Sequence, residues 1–177
     1  MNYHKIEKTS IANGKGVRVV LWVSGCSLHC KGCHNPQTWD FNSGKLFDEN
    51  AKQELFETIS KPWIQGLTLS GGNPIDYNNL PYVYDIIKEV KDKFPSKDIW
   101  LYSGYALHIN DFDTSVDVCW DNSLLRNYIL AMCDVVVDGP FIEEQKDLTL
   151  KWRGSSNQRV IDVKQTLQQG QIVLYQD

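Results

Sequence analysis

The sequence predicts an α/β chain, a partial and open β/α barrel of roughly five to six parallel strands. Two observations carry this reading. Short apolar runs rich in β-branched residues alternate with longer stretches of helical period. At 177 residues the chain falls short of the roughly 200 or more that a full eight-fold barrel needs. An open side would admit a large substrate, such as a segment of another protein.

Val17 to Val23 reads as the first strand, stopping at Ser24-Gly25. Asp48 to Ile59 reads as a helix, with Asp48 as N-cap and Leu55, Phe56 and Ile59 on one face. Gly66 to Ser70 is a second strand, running into Gly71-Gly72. Leu80 to Phe94 is a second helix, with Val83, Ile86, Ile87 and Val90 inward and Pro95 beyond its end. Ile99 to Tyr102 is a third strand, Ser123 to Met132 a helix, and Asp134 to Asp138 a fourth strand. Arg159 to Val163 and Gln171 to Tyr175 read as two further strands. Right-handed crossovers would bring all C-terminal strand ends to one rim, and that rim is where chemistry is expected.

The chain reads as a single domain, 1–177, with 42% hydrophobic residues and no repeat or low-complexity tract. Its net charge of −4 disfavours a nucleic-acid partner. No apolar run approaches the ~18 residues of a membrane span, and no secretory signal is read at the N-terminus. With five cysteines, an odd number, and no signal peptide, a reducing cytoplasm is the expected location.

Three of those cysteines, Cys26, Cys30 and Cys33, form a C-x3-C-x2-C run directly after the first strand. Three thiolates can hold three irons of a cubane and leave the fourth open to a non-protein ligand. A zinc site using His29 or His34, or a disulfide framework, remains open on spacing alone. Cys119 and Cys133 form no second close pair and read as small buried hydrophobes. Trp22, Trp39, Trp63 and Trp100 read as core or rim packing. Gly14-Lys15-Gly16 lacks the spacing of a phosphate loop.

Taken with Gly71-Gly72 after the second strand, the cysteine run resembles the signature of the radical S-adenosylmethionine (SAM) superfamily. The resemblance extends through Gly16-Val17-Arg18, Val23-Ser24-Gly25-Cys26, Gly32-Cys33-His34-Asn35-Pro36 and Ser70-Gly71-Gly72-Asn73-Pro74. It continues through Tyr102-Ser103-Gly104-Tyr105, Asp138-Gly139-Pro140-Phe141 and Trp152-Arg153-Gly154-Ser155-Ser156-Asn157-Gln158-Arg159. Over nearly the whole chain the pattern is similar to the small glycyl-radical-activating branch, in which the last stretch is the more specific pointer.

The resemblance implies a [4Fe-4S] cluster on Cys26, Cys30 and Cys33, with S-adenosyl-L-methionine chelating the fourth iron. It implies reductive cleavage of that cofactor to a 5′-deoxyadenosyl radical, which takes hydrogen from a glycine of a protein substrate. The protein substrate implied is the large subunit of anaerobic ribonucleoside-triphosphate reductase, and the electron donor a flavodoxin-like protein. Gly71 and Gly72 would let the backbone approach the methionine end of the cofactor. Asn73 stands where many members of the superfamily have an acid. Gly32 stands where many have an aromatic residue, so that His34 would cover the adenine in its place. Ser103 and Tyr105 follow a strand and Asp138 sits at a strand end, and all three are candidate cofactor contacts, while Arg153 and Arg159 would bind the cofactor carboxylate or dock the partner. Bland readings stand beside these: turn residues for Gly71, Gly72 and Asp138, solvated loop residues for His29 and His34, and a surface pair of arginines. A radical enzyme acting on a small molecule such as a deazapurine precursor, and a non-catalytic zinc-binding interaction module, are the competing functions.

Overall fold

The computed structural model describes residues 1–115 and 122–177. Among these residues seven strands form one sheet: β1 (Asn2–Ser10), β2 (Arg18–Val23), β3 (Lys45–Leu46), β4 (Gly66–Gly71), β5 (Asp98–Tyr102), β6 (Val135–Asp138) and β7 (Arg159–Asp162). Their spatial order is β3-β1-β2-β4-β5-β6-β7. Among the described residues four α-helices accompany them: α1 (Glu49–Ile59), α2 (Leu80–Lys93), α3 (Asn122–Met132) and α4 (Val163–Gln169). Asp48 caps α1 as expected, accepting the Ala51 N–H at 2.9 Å.

The parallel part is smaller than the sequence predicts. Only β2, β4, β5 and β6 run parallel, in unbroken register from Arg18↔Gly66 to Tyr102↔Val137. β1 and β3 are antiparallel at one edge and β7 is antiparallel at the other. The sheet is open, and no barrel closes. The reason at the second edge is the connection: parallel neighbours need a crossover helix, and the segment from β6 to β7 holds only a short 3-10 turn at Glu143–Gln145. Gln171 to Tyr175 is not a strand; it touches the sheet through one bridge, Ile161↔Leu174. The sequence reading also passed over β1, β3 and α4. In β1 two register shifts, between Tyr3 and Lys5 and between Glu7 and Ser10, break the alternation that would have marked it. Cys119 lies outside the described residues.

Strand side chains alternate between faces, and the two faces differ. Val19, Leu21, Val23, Leu67, Leu69, Ile99, Leu101 and Val136 point to the helices. They form the main core with Leu55 and Ile59 of α1, Val83, Ile87 and Val90 of α2, Ile129 and Leu130 of α3, and Cys133 just beyond it. Among the described residues, the other face is covered by the segment before β7 and the C-terminal stretch rather than by α1, α2 or α3. Trp100, Val135 and Val137 pack there beneath Trp152, Val160 and Tyr175. Trp100 meets Trp152 edge-on at 4.9 Å and Tyr175 at 5.4 Å. Trp63, by contrast, is exposed (61%) rather than packed.

Arg18 is fully buried on this second face, where an unpaired charge would be costly. Its Nε donates to Thr68 Oγ1 at 2.8 Å, Nη1 to Lys15 O at 3.0 Å, and Nη2 to Leu67 O at 2.9 Å and Asp98 O at 3.3 Å. Nη1 also lies 2.6 Å from Asp98 Oδ1, close as an ion pair but off the line of a hydrogen bond. The guanidinium sits 5.3 Å from the Trp100 ring centroid. This cluster closes the sheet at the ends where β2, β4 and β5 begin, opposite the cysteine rim.

Candidate functional site

Parallel β2 and β4 end together, with Val23 opposite Gly71, so the loops after them start side by side. The Gly72 N–H donates to Val23 O at 2.8 Å and the Asn73 N–H to Gly25 O at 2.8 Å. A Cβ on Gly72 would lie 2.4 Å from Gly25 O, and Gly71 has φ +102 with its Cβ position 2.7 Å from Val23 O. The glycines are there because two backbones touch. Asn79 locks the pair, with Nδ2 donating to Ser24 O and Asn73 O, each at 3.0 Å.

The cysteine loop is tied to the same place by a residue the sequence reading passed over. Asp76 is buried, and its Oδ2 accepts the Ser27 N–H at 2.9 Å and the Ser27 hydroxyl at 2.6 Å. The Ser27 hydroxyl also stands 3.3 Å from the Tyr105 hydroxyl, which links in the loop after β5. Gly104 belongs to that loop, and a Cβ there would strike Leu28 at 2.3 Å. Loops from three parallel strands therefore meet around Cys26 to Cys30.

Cys26, Cys30 and Cys33 are half-buried free thiols. Burial pushes the Cys26 thiol up, with the Leu28 and His29 backbone N–H groups opposing it. The Asn35 N–H donates to Cys33 Sγ at 3.3 Å. Backbone N–H groups aimed at sulfur are the donors that cluster thiolates use. Among the described residues no three His, Cys, Asp or Glu side chains converge to hold a single metal ion. A mononuclear zinc needs its donors about 2.3 Å from one point, whereas a cubane distributes its thiolates over separate irons. Cys26, Cys30 and Cys33 are the thiols that would hold three irons of a cluster.

Cys33, His34 and Asn35 stand at the head of a groove of 580 Å³ on the sheet face away from α1, α2 and α3. Trp22, Ser70 and Tyr102 line it from the sheet, and Phe141, Leu150, Trp152 and Arg153 from the segment before β7. None of these except Arg153 was a sequence candidate for the site. They come from separate strands and share a face only through the register, with Trp22 opposite Ser70. Burial pushes the Tyr102 phenol up, so it stays a neutral hydroxyl. His34 is exposed and meets Phe141 edge-on at 6.1 Å.

The chain is similar to named proteins. A family of 4Fe-4S single cluster domains matches residues 12–161. An anaerobic ribonucleoside-triphosphate reductase-activating protein of Haemophilus influenzae is 40% identical over 160 residues, covering 89% of this chain and 96% of that one. Proteins of the same name from Enterobacteria phage T4 and Escherichia coli K12 are 40% and 36% identical, covering 90% of this chain and 93% and 97% of theirs. The chain belongs to the anaerobic ribonucleoside-triphosphate reductase-activating protein family.

Within this activating-protein fold the remaining sequence candidates separate. Gly32 has φ +73, and a Cβ there would come 3.1 Å from Glu143, whose carboxylate pairs with Lys31 at 3.1 Å. Asn73 is buried, its Oδ1 accepting the Ile75 N–H at 3.3 Å while Nδ2 has no protein partner. Ser103 is buried, and its Oγ accepts the Tyr105 N–H at 3.1 Å. Asp138 is 1% exposed and committed internally: it accepts the Leu107 N–H at 2.8 Å and Arg159 Nε at 3.0 Å, with Arg159 Nη2 on its second oxygen. The two arginines thus differ. Arg159 braces Asp138, while Arg153 lines the groove and spends Nη1 on Gln158 O at 2.7 Å. Gln158 ties the rest of this stretch, accepting from the Gly154 and Ser155 N–H groups and donating to Gly139 O at 3.0 Å.

Among the described residues no helix is long and apolar enough to cross a membrane.

Proposed function

We propose that this chain activates an anaerobic ribonucleoside-triphosphate reductase by installing a glycyl radical in its large subunit. The observation that carries the reading is the joining of the cysteine loop and the Gly71-Gly72 loop by 2.8 Å backbone bonds at the head of an open groove. The family relationship supplies the 4Fe-4S cluster and the named target of the relatives. A cluster held by Cys26, Cys30 and Cys33 would supply the electron for reductive cleavage of S-adenosyl-L-methionine, the chemistry that would take hydrogen from a glycine Cα.

The residues of the chain have the remaining tasks. Cys26, Cys30 and Cys33 hold the cluster. Gly71 and Gly72 keep the second loop low enough for a cofactor to lie against backbone. Asn73, whose buried Nδ2 has no protein partner, would offer a polar contact to the methionine end of the cofactor. His34 with Phe141, and Ser103 from the loop after β5, would contact the adenosyl group. Trp22, Tyr102 and Trp152 give the groove apolar walls that exclude water from a reactive radical. The open side receives the glycine-bearing segment, so the reductase completes the wall. The whole of residues 1–177 serves as one radical-SAM-type domain, at work in the cytoplasm with a flavodoxin-like or other low-potential donor.

The test is 5′-deoxyadenosine release by the anaerobically reconstituted protein with S-adenosyl-L-methionine and dithionite, with and without the reductase. Release by the wild type and none by Cys30→Ala is the expected result. A protein with a full iron–sulfur complement that releases none even with the reductase would overturn the reading.

A further inference from the structure

His29 is one of two non-glycine residues with positive φ, at +46, among the described residues. A left-handed histidine is strained, and such strain persists only where the surroundings fix it. It lies between the first two cysteines, immediately before Cys30. Its ring stacks on Trp39, with centroids 4.7 Å apart and planes 22° apart. Trp39 also bonds the loop at its start, since the Cys26 N–H donates to Trp39 O at 3.0 Å and the Gly25 N–H to Thr38 O at 2.7 Å. Phe41 completes this side, its ring filling the space where a Gly25 Cβ would lie, 2.1 Å away.

From this geometry we infer that Trp39 is a positioning residue for the cluster loop. Its carbonyl fixes Cys26, and its indole holds His29 left-handed so that the chain turns Cys30 toward Cys26 and Cys33. Trp39 acts on Cys30 through His29, on which its ring is stacked. Segment 38–41 is thus a template against which the loop is shaped before any iron arrives. The inference rests on the cluster reading for its purpose, but the loop geometry can be measured without iron.

The experiment follows alkylation of Cys30 in the anaerobic, iron-free protein by peptide mass mapping. The variants are Trp39→Phe, Trp39→Ala, His29→Phe and His29→Gly. His29 is exposed and glycine accepts its backbone conformation, so His29→Gly keeps the fold while removing the stack that holds the loop. The expected result is severalfold faster alkylation of Cys30 in Trp39→Ala and His29→Gly, with wild-type rates restored in the two phenylalanine variants. In the reconstituted proteins the same two stack-breaking variants should shift the reduced-cluster EPR spectrum and the phenylalanine variants should not. Equal Cys30 rates in wild type and His29→Gly would overturn the inference. A wild type that forms no four-iron cluster would instead sink the functional reading, and the Cys30 rates would still decide this one.

Discussion

At the scale of single residues the site depends on a few buried polar groups whose partners lie far away in sequence. Asp76 is the clearest. One carboxylate oxygen takes both donors of Ser27, 49 positions earlier, and thereby holds the residue after Cys26. Hydrogen bonds to a charged group contribute more than neutral ones, so Asp76→Ala should cost about 2 kcal/mol of stability. It should also lower the iron retained after desalting, while Asp76→Asn retains most of it. Iron retention in Asp76→Ala equal to the wild type would show that the loop is held elsewhere. The three cysteines were legible because their signal is local, a spacing within eight residues. Asp76 was not, since an aspartate after Asn-Pro-Ile looks like an ordinary turn residue until the fold brings Ser27 onto it. Asp138 shows the converse: its place at a strand end drew attention, and the structure commits it to Arg159 and Leu107.

At the scale of elements, the two loops that make the rim are one unit. Gly72 touches Gly25 so closely that any side chain must separate them. Gly72→Ala should cost about 1–3 kcal/mol, as overpacking does, and should part the Gly71-Gly72 loop from the cysteine loop. The check is hydrogen exchange at the Asn73 amide, which donates to Gly25 O. Faster exchange in the variant is the expected outcome, and unchanged protection would mean that the loops give way without parting. Central strands were readable because short runs rich in apolar and β-branched residues stop at turn glycines such as Gly25, Gly71 and Gly139. The edges were not. Polar β1 is bent by two register shifts, and the direction of β7 is decided by a connection without a crossover helix, which no local pattern records. The groove walls were hidden for a related reason: Trp22, Ser70 and Tyr102 become neighbours only when the register is known.

At the scale of the whole molecule, core and cluster site are separate constructions. The main core joins strand residues to α1, α2 and α3 and contains none of the three loop cysteines. Removing iron should therefore leave the far-UV circular dichroism and a cooperative thermal transition in place. Small zinc-stabilised modules behave otherwise, unfolding when the metal leaves. Collapse of the fold on chelation would place the metal in the folding core and revive that alternative.

The alternation along the central strands has an evolutionary side. In β2, Val19, Leu21 and Val23 belong to the helical core, while Trp22 looks into the groove. β4 and β5 divide in the same way, Leu69 and Leu101 to the core, Ser70 and Tyr102 to the groove. Mutations that reshape the chamber can accumulate at one parity of position while selection for folding acts on the other. A lineage could then retune what its groove accepts by small steps, without passing through unstable intermediates.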